Sequence, residues 1–147
     1  MKKQLIKKEY KLYYIKDGLK IEGVHPRLSG DVSELSGDVS GLYGNVSSGL
    51  YGEVSSGLYG NVSELYGDVS ELSGKVSGIS GEVSRLSGYV SELYGEVSPR
   101  LSGDVSGLFG KVSGLYGNVS KLSGNLDACE ITNEEREKGV DIKELII

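Results

Sequence analysis

Between Leu28 and Ala128, apolar residues recur at two fixed places in a phrase of seven, Leu first and Val fifth, with Gly third. Position two is Ser or Tyr, position four a variable polar residue, position six Ser, and position seven varies. Fourteen copies follow one another. They run from Leu28-Ser29-Gly30-Asp31-Val32-Ser33-Glu34 to the divergent Leu122-Ser123-Gly124-Asn125-Leu126-Asp127-Ala128. Read with a period of two, Leu, Gly and Val point one way and the polar positions the other. That predicts a short strand with an apolar inner face and a Ser/Tyr outer face. A heptad helix would also place Leu and Val on one face, but each Gly costs ~1 kcal/mol relative to Ala in a helix. Summed over the units, the loss is on the order of 14 kcal/mol, about the whole stability of an ordinary domain. The helix is excluded.

Three units have eight residues, 42–49, 50–57 and 93–100, and each places the extra residue after Val; Pro99 stands there too. Insertions and prolines belong in turns. Positions one to five are therefore expected to be strand, and positions six and seven turn. Strand and turn repeated without helices predict an all-β fold, a parallel β-solenoid over residues 28–128 with coils ~4.8 Å apart. The inward Gly is expected to let backbone from another side of the coil approach.

Spacing leaves open two or three units per coil. With two, Asp38, Glu53, Asp68, Glu82 and Glu96 fall in one line, and like charges directly opposite each other destabilise a sheet. Three units would disperse them among Asn45, Asn61 and Lys75. The charges favour three, unless an acidic ladder is itself the function.

The flanks differ. Apolar and polar residues alternate from Tyr10 to Val24 around Asp17-Gly18, the signature of a two-residue hairpin turn. Tyr13 shares a face with Ile15, and Leu19 with Ile21. A Lys-rich amphipathic helix over residues 2–14 is the alternative. Either way, residues 1–27 are expected to cover the first coil, with His25 and Pro26 at the junction. In residues 129–147, Thr132 with Glu135 forms a capping box and Gly139 a C-cap, predicting a helix at about 133–138. Asp141 and Glu144 repeat the pattern before Leu145-Ile146-Ile147. These apolar residues are expected to cover the last coil, or to form a homo-oligomer contact.

A hydrophobic fraction of 37% without Trp suits a narrow stacked core better than a broad one. The net charge of −5 is uneven. Residues 1–27 carry eight Lys/Arg against three acids, the repeats five against eleven, and residues 127–147 three against seven. Direct nucleic-acid binding through the repeats is disfavoured, because it needs clustered cations. One cysteine, Cys129, allows no internal disulfide and fits a reducing compartment. The basic start lacks the apolar stretch of a secretion signal, and no run approaches the ~20 apolar residues of a membrane span. A soluble, cytoplasmic protein with no membrane contact is expected.

The phrase Leu-Tyr-Gly-Asn-Val-Ser, at residues 42–47 and 115–120, resembles tandem heptapeptide repeats of uncharacterised bacterial and phage proteins. The tail from Cys129 to Arg136 resembles proteins of the same kind. The resemblance spans residues 28–147 and implies no established activity. The architecture is also similar to hexapeptide left-handed β-helices and pentapeptide-repeat proteins, with a different unit length. Hexapeptide acyltransferases add a catalytic His, which these repeats lack. Pentapeptide-repeat proteins that mimic DNA are the nearer functional analogy.

Little in the chain suggests chemistry. Asn45, Asn61 and Asn118 match a glycosylation sequon only because Asn precedes a fixed Val-Ser. Gly74-Lys75 and Gly110-Lys111 lack the Ser/Thr of a phosphate loop. The Gly-Asp pairs lack the nine-residue period of calcium-binding repeats. No nucleophile–base pair, metal set or cofactor motif is visible, so no enzyme is expected. Tyr43, Tyr51, Tyr59, Tyr66, Tyr94, Phe109 and Tyr116 occupy the outward second position, with Asp38, Glu53, Asp68, Glu82 and Glu96 between them. Such a surface suits docking on another protein, since Tyr gives large contact area at small entropic cost. Equally, it suits ladders that only stabilise the stack. A non-enzymatic binding module is the expected function, with a self-assembling fibre or filament element as the alternative.

Overall fold

The computed structural model describes residues 1–6 and 11–147. Its first elements form the expected hairpin. Strands β1 (Leu12–Lys16) and β2 (Leu19–Glu22) pair antiparallel across Asp17 and Gly18, whose φ angles of 53° and 76° suit a tight two-residue turn. Tyr13 and Ile15 share the outer side. Leu12 and Tyr14 turn inward and pack on the core, and Tyr14 meets the edge of His25 at 5.1 Å between ring centroids. The strand excludes the helical alternative at Leu12–Tyr14; residues 7–10 of that segment lie outside the described residues.

Each repeat then contributes one strand, from β3 (Leu28–Gly30) and β4 (Leu35–Asp38) to β15 (Leu115–Asn118) and β16 (Gly124–Asn125). A β-turn joins consecutive strands, the N–H of each Leu donating to a carbonyl three residues back, as Leu65 does to Val62 at 3.1 Å. In an eight-residue unit the turn slides one residue along. Leu101 then donates to Ser98 at 3.0 Å, with Pro99 second in the turn, where its fixed φ is favourable. His25-Pro26-Arg27-Leu28 makes the same turn before the first unit. Only the eight-residue units extend their strands to position five, over Leu42–Val46, Leu50–Val54 and Leu93–Val97. Seven-residue units stop at position four, because their turn already begins at Val.

Successive strands fall alternately into two sheets, so two units make a coil, in a parallel β-solenoid of about six turns. The three-unit coil that the charges favoured is incorrect. The register explains why. Leu of one coil lies beside Gly of the next in its sheet, as Leu58 beside Gly74, a spacing of about 16 residues. Position two therefore lies beside position four. Glu82 is next to Tyr66, Asp68 next to Tyr51, and Glu96 next to Ser80. Acids of adjacent coils are offset diagonally, ~7–8 Å apart, and the expected repulsion across the ladder does not arise.

Inside, Leu at position one and Val at position five form one continuous core, with Val32 and Leu122 partly open at its two ends. Gly at position three has a conformation that L side chains rarely adopt. At Gly60, φ is 116° and an added Cβ would lie 2.5 Å from Ser77 Oγ. The close approach thus comes from the next coil of the same sheet, not from another side of the coil.

The hairpin pairs β1 in parallel with β4 and covers the N-terminal edge of the sheet built from even-numbered units. At the other end, α1 (Asn133–Lys138) starts on the predicted capping box, with Glu135 N–H donating to Thr132 Oγ1 and Thr132 N–H to Glu135 Oε2. Arg136 fastens it to the stack by donating to the carbonyls of Lys111 and Ser113, at 3.0 and 2.8 Å. Strand β17 (Val140–Asp141) then pairs in parallel with β15 and covers the sheet of odd-numbered units. Val140, Asp141 and Ile142 take the places of Gly, the polar residue and Val in a fifteenth unit. Ile142 is buried and Leu145 packs on the core, but Ile146 and Ile147 are exposed and do not cover the last coil as expected. Among the described residues, no helix is long and apolar enough to cross a membrane.

Candidate functional site

Position four does local work first. In many units its side chain turns back on the Ser two residues later; Asn61 Oδ1 accepts from the Ser63 N–H at 2.9 Å and from its hydroxyl at 2.6 Å. The Ser Oγ in turn accepts a backbone N–H from position four of the preceding coil, as from Asn45 at 3.0 Å. Eight such bonds run through the stack, from Asn45 to Asp104 as donors. The last unit continues them with Asp127, whose carboxylate accepts the Lys111 N–H at 3.0 Å. The hairpin joins at the other end, Ile15 N–H donating to Ser40 Oγ at 2.6 Å. Ser in the eight-residue units is excluded, because Val there remains in the strand; Asp31 N–H bonds the Val46 carbonyl instead. This ladder was not anticipated, although the Asn/Asp-Val-Ser phrase that builds it is plain in the sequence.

Two units per coil place all five predicted acids on one face. Asp38, Glu53, Asp68, Glu82 and Glu96 stand at position four of even units, followed by Lys111 and Asn125. Tyr51, Tyr66, Tyr94 and Phe109 share that face, each 41–45% exposed. The other predicted aromatics, Tyr43, Tyr59 and Tyr116, belong to the odd face. There Arg27 lies 4.7 Å over the Tyr43 ring and Arg100 4.0 Å over the Tyr116 ring, leaving only Tyr59 open. Tyr89, exposed at position four, is an odd-face aromatic that was not anticipated.

Turn residues sharpen the contrast. Position seven hydrogen-bonds into the sheet that follows it, as the Glu34 carbonyl accepts from Gly52 at 3.0 Å. Over residues 28–126, even units and the turns leading into them therefore gather eight acids, adding Glu34, Glu64 and Glu92, against Lys111 and Lys121. Odd units and their leading turns balance Asp31, Glu71 and Asp104 against Lys75, Arg85 and Arg100. The whole repeat charge of −6 thus sits on one side.

Among the described residues, none of these face acids is paired with a cation. The one ion pair among the described residues joins Lys11 to Glu22 at 3.9 Å. Asp38, Asp68 and Glu82 each use one carboxylate oxygen on a Ser N–H, and Glu53 and Glu96 use neither. Near the N-terminal end, Glu34, Tyr51, Glu53 and Ser70 line a shallow hollow of about 440 Å³. Its two carboxylates and one aromatic ring suit a basic side chain.

Hydrogen bonds shift a few exposed groups. The Ser33 and Ser106 hydroxyls, and then their N–H groups, hold Asp31 and Asp104 below the usual carboxyl range. Lys111 N–H and the Tyr94 hydroxyl do the same for Asp127, and the same contact raises Tyr94. Among the described residues no three His, Cys, Asp or Glu side chains converge as metal ligands. Compared with known protein families, characterised proteins and solved structures, the chain matches none.

Proposed function

We propose that the protein is a non-enzymatic binding module whose even face docks on a basic protein. The observation that carries this reading is the sorting of charge: the acids lie in diagonal steps with exposed Tyr51, Tyr66, Tyr94 and Phe109 between them. Such a surface offers steering to a cationic partner and rigid aromatic contact area once it arrives. Regularly spaced carboxylates on a stiff support present negative charge in the manner of a DNA mimic, which makes nucleic-acid-binding proteins a natural class of partner. A bacterial or phage factor acting in the cytoplasm fits the resemblance of its repeats. The test is capture from a bacterial lysate on immobilised protein. A specific partner should be retained by the wild type and lost by Tyr51→Ala with Tyr66→Ala. Equal capture by both would remove the aromatics from the account.

A second reading, a self-assembling structural element, is favoured by one observation. The even sheet ends at β16 with an unpaired edge among the described residues, whereas the odd sheet ends under β17.

A further inference from the structure

In every even unit before the last, the carbonyl preceding Leu accepts a Gly N–H from the next coil, as Gly107 does from Gly124 at 3.0 Å. Position two often accepts likewise, as Phe109 does from Leu126 at 2.8 Å. The equivalent carbonyls of the last unit, Lys121 and Ser123, accept no backbone hydrogen bond among the described residues. Beneath this edge lies an apolar groove of about 530 Å³, lined by Leu108, Leu122, Leu126, Leu145, Ile146 and Ile147. It is the open end of the core, shaped for one more strand.

We infer that this edge receives the N-terminal residues of a second copy of the chain, joining molecules head to tail. An extended Gln4-Leu5-Ile6 supplies alternate N–H donors to the Lys121 and Ser123 carbonyls and an apolar side chain to the groove, by strand addition. Leu5 and Ile6 suit this role because they are 100% and 91% exposed. Charge favours the pairing as well: residues 1–27 carry eight Lys/Arg against three acids, and residues 127–147 three against seven. The contact is between molecules. Ile6 lies six residues before Leu12, a reach of about 20 Å. Six coil steps of ~4.8 Å separate β4 from β16, at least roughly 29 Å and beyond that reach. The inference rests on the self-assembling reading and names the surfaces it uses.

Sedimentation velocity of the full chain over a range of concentrations, at low and high salt, tests it. Concentration-dependent association is expected, weakened by salt. Leu5→Asp with Ile6→Asp should weaken it at least tenfold, while circular dichroism stays unchanged because both residues are exposed. Tyr51→Ala with Tyr66→Ala should leave it intact. A chain that stays monomeric throughout would overturn both the inference and the self-assembling reading. Association undiminished in the Leu5/Ile6 variant, or lost in the tyrosine variant, would overturn only the assignment of these surfaces.

Discussion

The backbone N–H of Asn61 donates to Oγ of Ser77, 2.9 Å away on the next coil of the same sheet. A hydroxyl here does what a strand carbonyl does elsewhere. Ser77→Ala leaves that N–H without its acceptor and should destabilise the fold by about 0.5–1.5 kcal/mol. Ser55, in an eight-residue unit, only donates to the Leu72 carbonyl at 3.3 Å, so Ser55→Ala should cost less. Urea unfolding of the two variants checks the order. Equal losses would mean that the ladder contributes nothing beyond an ordinary serine.

Glycine at position three should tolerate no side chain. Gly60→Ala combines a positive φ with contacts of 2.5 and 3.0 Å to Ser77 Oγ and N, and should cost roughly 2–5 kcal/mol. Gly57, in the turn, has no neighbour closer than 3.9 Å, and Gly57→Ala should be near neutral. Gly124 has a φ of 139° but open space around it, because no coil follows on its sheet, and Gly124→Ala should fall between them. Thermal melting ranks the three; a neutral Gly60→Ala would contradict the packing described.

Acid should selectively remove the contribution of Asp127. Its carboxyl is held below the usual carboxylate range by Lys111 N–H first and the Tyr94 hydroxyl second. A carboxyl lowered in the folded state contributes stability above its unfolded value and loses it as pH falls through the folded one. The melting-temperature difference between wild type and Asp127→Asn should therefore be constant above about pH 5 and change in favour of the variant below about pH 4. Parallel curves down to strong acid would remove this role.

Much of the fold is legible in the residues. The Leu-x-Gly-x-Val alternation gives the strand, the insertions locate the turn, and Asp17-Gly18 and Thr132-x-x-Glu135 mark the hairpin and the helix. The coil count was not legible, because it depends on register. A charge argument assumes that equivalent residues stack, and the two-residue offset that puts Glu82 beside Tyr66 breaks that assumption. The candidate site inherits the same limit. Its residues could be named from the repeat, but Tyr51 and Tyr43 separate onto opposite faces only once units alternate between sheets. The fifteenth unit was hidden because Val140-Asp141-Ile142 keeps the alternation without Leu or Gly.

The central claim is that binding belongs to the acidic even face. Asn serves at position four in Asn45, Asn61 and Asn118, so Glu53→Asn, Asp68→Asn, Glu82→Asn and Glu96→Asn together should discharge that face without disturbing the coil. The matched control, Asp31→Asn with Asp104→Asn, discharges the odd face. Capture from lysate at moderate salt compares them directly. The account predicts that the even-face variant loses the partner held by the wild type and the control keeps it; retention by the even-face variant, or equal loss in the control, would contradict it.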